Sequence, residues 1–400
     1  MFERNYKMPI KHTIRRVLEF TAALIFLATT SWAHLTAKSH DQKNDGEKAV
    51  QTKIDIGGYA LYVNMAGVGS PAVIFEAGGG NTSPIWARVQ PEISKITRTF
   101  SYDRAGLGKS DKRSLSNTTL TQVQELHALL RKAEVKEPYI FVANSYGAFI
   151  AKLFAHIYPS EVAGVVYVDG THEKLIGFLS NSLSPDQLDI FKKMAASNPD
   201  GNYEEVSISA EQIKEAGKKD ELRNKPIIVL TSDIEITARQ FANTPLAPAL
   251  SQWLNWQQDL AALSDKSRQY VIKGSGHIIH LDRPQVVINA IKKMIEYDLK
   301  GRQAPAYKRA EISPDKLRRF VGKYAYDADH ELIITEENGH LFADIPDLIQ
   351  TEMVPISENE IITKDMEVAA TIIELAESGI IIRNRYSAEE KKAPRVRDVK

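Results

Sequence analysis

Between residues 52 and 299, runs of β-forming residues alternate with stretches whose apolar residues recur at helical spacing. Strand–helix repeats of this kind build a mostly parallel sheet that helices cover on both faces. The pattern therefore predicts an α/β domain with an eight-stranded sheet, opened by an antiparallel hairpin. The predicted strands are 53–56, 60–65, 72–77, 97–102, 139–144, 164–169, 227–232 and 268–273, and the predicted helices are 120–132, 148–157, 250–263 and 286–299.

Residues 172–225 interrupt this rhythm with polar helical pieces and no convincing strand. An insertion of that length in an α/β repeat is usually functional, so we expect a helical lid. Its apolar side chains would either line an acyl pocket or seal the lid onto the core. They are Leu175, Ile176, Phe178, Leu179 and Phe191.

The composition excludes several classes of protein. The 51 Lys and Arg residues balance the 51 Asp and Glu residues, so net charge gives the chain no attraction to nucleic acid. The absence of cysteine excludes disulfides, thiolate metal sites and a cysteine nucleophile. No nucleotide, flavin or metal motif is present, so we expect no cofactor.

The first 33 residues have the pattern of a secretory signal peptide. Basic residues precede a short apolar run, and Ser31-Trp32-Ala33 offers a cleavage site. An uncleaved anchor is the alternative, although the apolar run is shorter than the roughly 20 residues that span a bilayer. We expect export to the periplasm or the medium, a tether at 34–51 and no stable membrane span after cleavage.

The chain changes character after residue 299. A linker at 300–314 leads to short strands separated by turn signals such as Asn338-Gly339, which favours a tight hairpin. We expect a small all-β domain at 315–386 and a disordered charged tail at 387–400.

Ser145 carries the main chemical signal. It follows the predicted strand 139–144 and precedes a predicted helix, with the small residues Ala143 and Gly147 two positions away on either side. A tight strand-to-helix turn needs small residues there and exposes the serine hydroxyl for nucleophilic attack. The alternative is a serine that only caps the helix.

A general base is expected after the last strand. His277 ends Gly274-Ser275-Gly276-His277 there, and an imidazole can accept and return a proton near neutral pH. His280 would face another direction on a helical turn, and the two histidines lack the other ligands of a zinc site. Asp103 and Arg104, after the fourth strand, are expected to pair with each other and to have a structural role.

Taken together, the strand order, the glycine turn 78–80, YDRAGLGKSD, the serine turn and GSGHIIHLDRP resemble the α/β-hydrolase fold family. The resemblance covers about residues 52–299. It implies an oxyanion hole formed by the N–H groups of Gly79 and Tyr146, and a catalytic triad in the order serine, acid, histidine. Residues 315–386 resemble the small lipocalin-like domains appended to some penicillin-binding-type hydrolases.

The acid of the triad stays open between three residues. The family most often places it after the seventh strand, where Asp233 and Glu235 lie, but the usual sequence context is missing. Asp169, at the end of the sixth predicted strand, is the candidate favoured by relatives with a similar Val-Asp-x-x-His-Glu run.

The resemblance implies a serine hydrolase that acts on a small ester, thioester or amide through an acyl-enzyme on Ser145, and the pattern of residues 1–33 adds that it is exported. Its expected partner is that small-molecule substrate and not a nucleic acid. A ligand-binding protein with a vestigial triad is the alternative, and the sequence does not identify the substrate.

Overall fold

The computed structural model describes residues 49–114, 116–196, 198, 200–300, 310–326, 331–344, 351–363, 371–384 and 390–396. The predicted signal peptide therefore lies outside the described residues, as do most of the linkers at 34–51 and 300–314. Within the described part of the chain, no helix is both long and apolar enough to cross a membrane.

The first sheet has the predicted eight strands, in the order β1-β2-β4-β3-β5-β6-β7-β8. β1 pairs with β2 and β2 with β4 in antiparallel fashion, and the remaining pairs are parallel. The strands are β1 (Val50–Asp55), β2 (Ala60–Ala66), β3 (Ala72–Glu76), β4 (Thr99–Tyr102), β5 (Tyr139–Asn144), β6 (Val162–Val168), β7 (Ile227–Ser232) and β8 (Ser267–Ile272).

Helices cover both faces of this sheet because its central strands are apolar on both sides. One face packs on helices that include α2 and α3, and the opposite face packs on α10. The helices are α1 (Gln90–Ser94), α2 (Thr119–Lys132), α3 (Gly147–Ile157), α4 (Lys174–Ser182), α5 (Pro185–Ala196), α6 (Tyr203–Ala216), α7 (Ile234–Phe241), α8 (Leu250–Ala261), α9 (Ile279–Asp282), α10 (Pro284–Lys293), a π-helix (Met294–Leu299) and α11 (Pro314–Arg318).

The expected lid contains two kinds of helix. Ala210 and Ile213 of α6 belong to a buried cluster that also contains residues of α2 and α3, and α6 packs against these two helices. Leu175 and Leu179 of α4 instead join a separate apolar cluster with α8. The part of 172–225 that has the character of a lid is therefore the pair α4 and α5, which we call the cap (174–196).

The C-terminal residues form a second, antiparallel sheet in which successive strands are neighbours. Asn338 and Gly339 both have positive φ, of 54° and 79°, so the predicted hairpin is confirmed. The strands are β9 (Gly322–Ala325), β10 (Glu331–Glu337), β11 (His340–Asp344), β12 (Thr351–Pro355), β13 (Glu360–Thr363), β14 (Thr371–Ala376), β15 (Gly379–Asn384) and β16 (Glu390–Pro394).

The prediction of a disordered tail from residue 387 is wrong for Glu390–Pro394. These residues pair with β15, and Ala393 is buried in the second sheet. A bridge between Tyr324 and Arg395 brings the two edges of the sheet together. The charged residues before Ala393 favoured the prediction of disorder. A strand with one buried face, however, needs apolar residues only at alternate positions.

Gly147 gives a direct test of the strand-to-helix turn. A Cβ at this position would lie 2.6 Å from the carbonyl oxygen of Glu76 and 3.0 Å from that of Ala77. Because both contacts are with backbone, we expect Gly147→Ala to lower the free energy of unfolding by about 1–3 kcal/mol, measured by urea denaturation.

Gly177→Ala is the matched control. Gly177 lies inside α4, and no atom is within 4 Å of its added Cβ. Alanine is favoured over glycine in a helix by about 0.5–1 kcal/mol, so this variant should be at least as stable as the wild type. Equal stability of the two variants would contradict a sterically closed turn.

Candidate active site

Ser145 occupies the strained turn between β5 and α3. Its φ is 49°, in the left-handed region that residues with a Cβ seldom adopt. Its carbonyl oxygen accepts hydrogen bonds from the N–H groups of Ala148 and Thr171, both at 3.0 Å. The backbone therefore holds the serine at the carboxyl end of the sheet, where its side chain lines a cavity.

His277 lies in the loop after β8 and lines the same cavity as Ser145. Its Nδ1 lies 2.7 Å from Oδ2 of Asp169. An ionised carboxylate only accepts hydrogen bonds, so Nδ1 carries the proton and Nε2 is left free to accept one. The rings of Trp253 and Phe241 contact the imidazole edge-on, with centroids 5.7 and 5.5 Å away.

Asp169 follows β6, is fully buried and has a φ of 50°. Its second carboxylate oxygen, Oδ1, accepts hydrogen bonds from the Ser232 N–H at 2.9 Å and from Nε1 of Trp253 at 3.0 Å. Both oxygens are therefore satisfied, which a buried carboxylate requires. These donors fix the carboxylate so that one oxygen faces His277.

The two other candidate acids have different contacts. Asp233 is the N-cap residue of α7, and its carboxylate accepts from the N–H groups of Glu235 and Gly274. The side chain of Glu235 is exposed on the first turn of α7. Of the three acids left open by the sequence, Asp169 is the one that the structure brings to His277.

Gly79 and Tyr146, the expected oxyanion-hole residues, also line the cavity. They are adjacent, since a Cβ built on Gly79 would lie 3.6 Å from Cβ of Tyr146. Tyr146 directly follows Ser145 at the N-terminus of α3, where backbone N–H groups have no partner within the helix. The N–H groups of Gly79 and Tyr146 are thus available from two elements beside the serine.

The cavity has a volume of about 300 Å³. Among the described residues that line it there is no Asp, Glu, Lys or Arg. Leu175, Ile176 and Phe191 of the cap contribute to its wall, whereas Phe178 and Leu179 pack into the apolar cluster between the cap and α8. The other lining residues include Phe149, Met194, Tyr203, Val206, Phe241, Leu246, Leu250 and Trp253.

His280 is fully buried on α9 and does not line this cavity. Its ring stacks on Trp86 with centroids 4.2 Å apart. Burial lowers the pKa of this imidazole to about 3, so it is neutral at physiological pH. It therefore contacts Trp86 and does not line the cavity that Ser145 and His277 share.

The prediction that Asp103 and Arg104 form an ion pair with each other is wrong. Asp103 accepts hydrogen bonds from the N–H and Oγ of Ser83, both at 2.8 Å. Arg104 instead donates to the carbonyl oxygens of Ala77 and Gly78 and pairs with Asp200, which is 96 residues away. Consecutive side chains leave the backbone in different directions after the strand, so the two residues are held by different partners.

Glu76 ends β3, two residues before the first glycine of the turn 78–80, and is fully buried. One carboxylate oxygen lies 3.6 Å from Nη1 of Arg104. Burial raises the pKa of Glu76 to about 8, and the nearby Arg104 charge opposes this shift only in part. Glu76 is therefore mostly protonated at neutral pH.

Trp253, Thr171 and Asp200 were not predicted from the sequence. Trp253 lay in a predicted helix as one more apolar residue, and nothing in the sequence indicates that its indole would hydrogen-bond a buried carboxylate. Thr171 Oγ1 lies 3.4 Å from Oγ of Ser145. Each of these contacts joins segments that are far apart in the chain, so local pattern could not indicate them.

With this geometry in place, comparison with known proteins gives the class. Residues 71–216 match the family model described as "alpha/beta hydrolase fold". Over 221 residues the chain is 33% identical to the uncharacterized protein YqjL of Bacillus subtilis (strain 168), covering 55% of this chain and 81% of that protein. The chain belongs to the α/β-hydrolase fold family.

The chain is also similar to other proteins. The chain is 30% identical over 187 residues to an AB hydrolase superfamily protein of Gibberella zeae, covering 43% of this chain and 56% of that protein. A thermophilic esterase from Thermogutta terrifontis is 18% identical, with a TM-score of 0.43 over 63% of this chain and 100% of its own. The haloalkane dehalogenase DbeA from Bradyrhizobium elkani is 14% identical, with a TM-score of 0.46 over 64% and 99% of the two chains.

The raised pKa of Glu76 predicts a pH dependence of stability. Between about pH 4.5 and 8 the carboxyl ionises in the unfolded chain but stays protonated in the folded one, so unfolding becomes easier as pH rises. Glu76→Gln removes this effect. We expect its free energy of unfolding, relative to the wild type, to increase from pH 5 to pH 8 in urea titrations.

A difference between the two proteins that stays constant over this pH range would contradict the assignment. Below the pKa that Glu76 has in the unfolded chain, its carboxyl is mostly protonated in both the folded and the unfolded state. The comparison at pH 4 therefore gives the effect of the substitution without ionisation.

Proposed function

We propose that this protein is a serine hydrolase that cleaves an ester-type bond through an acyl-enzyme on Ser145. His277 is the general base, Asp169 is the acid of the triad, and Gly79 and Tyr146 supply the oxyanion hole. The observation that carries the proposal is the 2.7 Å contact between Nδ1 of His277 and Oδ2 of Asp169, in the cavity that Ser145 lines.

The first half of the reaction acylates the enzyme. Oγ of Ser145 attacks the substrate carbonyl carbon while Nε2 of His277 takes the serine proton. Asp169 stabilises the imidazolium that results, and the hydrogen bonds that it accepts from Ser232 and Trp253 hold its carboxylate in place. The proton then passes from His277 to the departing alcohol as the tetrahedral intermediate collapses to the acyl-enzyme.

The second half repeats this chemistry with water as the nucleophile, activated by the same imidazole. In both halves a negative charge develops on the former carbonyl oxygen. Backbone N–H groups stabilise this oxyanion more than the neutral carbonyl, and each such donor is typically worth about 10²–10³ in kcat.

The cavity narrows the substrate class. A neutral, apolar wall with no charged side chain among its described residues favours an uncharged ester with an apolar acyl group. Members of this fold family that act on carbon–halogen bonds attack with an aspartate, so a serine at this turn favours acyl transfer. Amides and thioesters use the same chemistry and belong in the substrate panel.

Export is part of the proposal. It is supported by the pattern of residues 1–33 and by the lack of cysteine throughout the chain, which leaves no thiols to oxidise outside the cytoplasm.

The triad is tested by substituting its members and assaying p-nitrophenyl esters of increasing acyl length, with p-nitroanilides as the amide control. We expect Ser145→Ala to lower kcat by at least about three orders of magnitude. Asp169→Asn should lower kcat by about 10⁴, because His277 then loses its carboxylate partner and its tautomer is no longer fixed.

Asp233→Asn is the matched control, since it makes the same change at the other aspartate that the sequence offers as the acid of the triad. Asparagine caps helices about as well as aspartate, so kcat should stay within about threefold of the wild type. If Asp233→Asn abolishes activity and Asp169→Asn does not, the assignment of the acid is wrong. If Ser145→Ala keeps full biological effect without hydrolysis, the protein is a ligand-binding relative with a vestigial triad.

A further inference from the structure

Arg104 and Asp200 form a buried ion pair beside the glycine turn. Nε and Nη2 of Arg104 donate to the two carboxylate oxygens of Asp200 at 2.6 and 2.7 Å. The side chains are 3% and 2% exposed, so water does not screen the pair. Two parallel hydrogen bonds between a guanidinium and a carboxylate fix the orientation of both groups.

The same ion pair holds the backbone of the turn. Nη1 and Nη2 of Arg104 donate to the carbonyl oxygens of Ala77 and Gly78 at 2.9 and 2.7 Å. Oδ2 of Asp200 accepts from the N–H of Gly80 at 2.5 Å. Gly79, the proposed oxyanion donor, is therefore fixed on both sides along the chain.

The second oxyanion donor is connected to the same residues. The carbonyl oxygen of Asp200 accepts from Nε2 of Gln122 at 3.1 Å, and Oε1 of Gln122 accepts from the Tyr146 hydroxyl at 2.9 Å. The Arg104 guanidinium also lies 5.7 Å from the centre of the Tyr146 ring. Asp200 thus contacts Arg104, which binds the glycine turn, and Gln122, which binds Tyr146. It does not itself line the cavity.

Asp200 belongs to the segment that connects the cap to α6, close to Asn198, which lines the cavity. Its charge is needed at this place. Glu76 is the other carboxyl near Arg104, but it lies 3.6 Å away and is mostly protonated at neutral pH because it is buried. Asp200 is therefore the main counterion of Arg104.

We infer that Asp200 is a positioning residue for catalysis: through Arg104 it sets the glycine turn so that the Gly79 N–H faces the developing oxyanion. The inference rests on the proposed function. The oxyanion hole would then require the contact between the glycine turn and the segment that connects the cap to α6. Through this contact the cap region would contribute to the rate of the chemical step as well as to the wall of the cavity.

The test compares Asp200→Asn with Asp189→Asn. Asp189 lies on the cap helix α5, is exposed and pairs with Lys193, so the control makes the same charge change in the same region. Asp200→Asn should lower kcat about 10- to 100-fold with KM within about threefold, because misplaced groups act mainly on the transition state. Asp189→Asn should match the wild type.

A pair of inhibitors separates oxyanion stabilisation from a general loss of structure. A trifluoromethyl ketone is attacked by Oγ of Ser145, so that a C–O bond forms, the serine proton goes to His277 and the carbonyl electron pair becomes an oxyanion. The matching methyl ketone binds without this addition. Asp200→Asn should weaken the first inhibitor by about the same factor as kcat and leave the second unchanged.

The inference is overturned if Asp200→Asn equals Asp189→Asn, if it raises KM alone, or if it weakens both ketones equally. If Asp200→Asn does not fold, Arg104→Lys carries the same prediction, because lysine keeps the charge but cannot bridge two carbonyls and a carboxylate. A wild type that neither hydrolyses esters nor binds the trifluoromethyl ketone would refute the proposed function itself, and this inference with it.

Discussion

Ser145 holds a left-handed backbone conformation, with a φ of 49°, at the point where the central strand β5 becomes the helix α3. Such a conformation costs free energy and persists only where the surrounding structure fixes it. Two N–H groups bind its carbonyl oxygen, and Gly147 allows α3 to approach the end of β3 closely. The position of the hydroxyl, of the Tyr146 N–H and of the start of α3 all depend on this turn.

The rest of the site is assembled at the same edge of the sheet. Asp169, His277 and the glycine turn each follow a strand, and the carboxyl ends of parallel strands meet at one edge. Burying the Asp169 carboxylate would be costly if it were alone, but three donors surround it. The Arg104 and Asp200 pair follows the same principle, because each buried charge finds its partner and the remaining donors bind backbone carbonyls.

The sequence predicted the sheet, the serine turn and the late histidine because these depend on local pattern. It left the acid open between Asp169, Asp233 and Glu235 because all three lie at or just after the carboxyl ends of parallel strands. What separates them is tertiary: Asp233 caps α7, and Trp253 from α8 reaches Asp169. The contact between Arg104 and Asp200 could not be predicted either, because it joins residues that are 96 positions apart in the chain. The eighth strand of the second sheet was missed because its exposed face is charged.

The proposed mechanism depends most on Ser145 being an activated nucleophile. Incubation with a fluorophosphonate, followed by intact mass measurement and peptide mapping, tests this directly, because the reagent reacts with a serine only when a base removes its proton. We predict a single adduct on the peptide that contains Ser145, absent from Ser145→Ala and formed much more slowly in His277→Ala. A wild type that stays unlabelled, or that is labelled at another residue, would contradict the account.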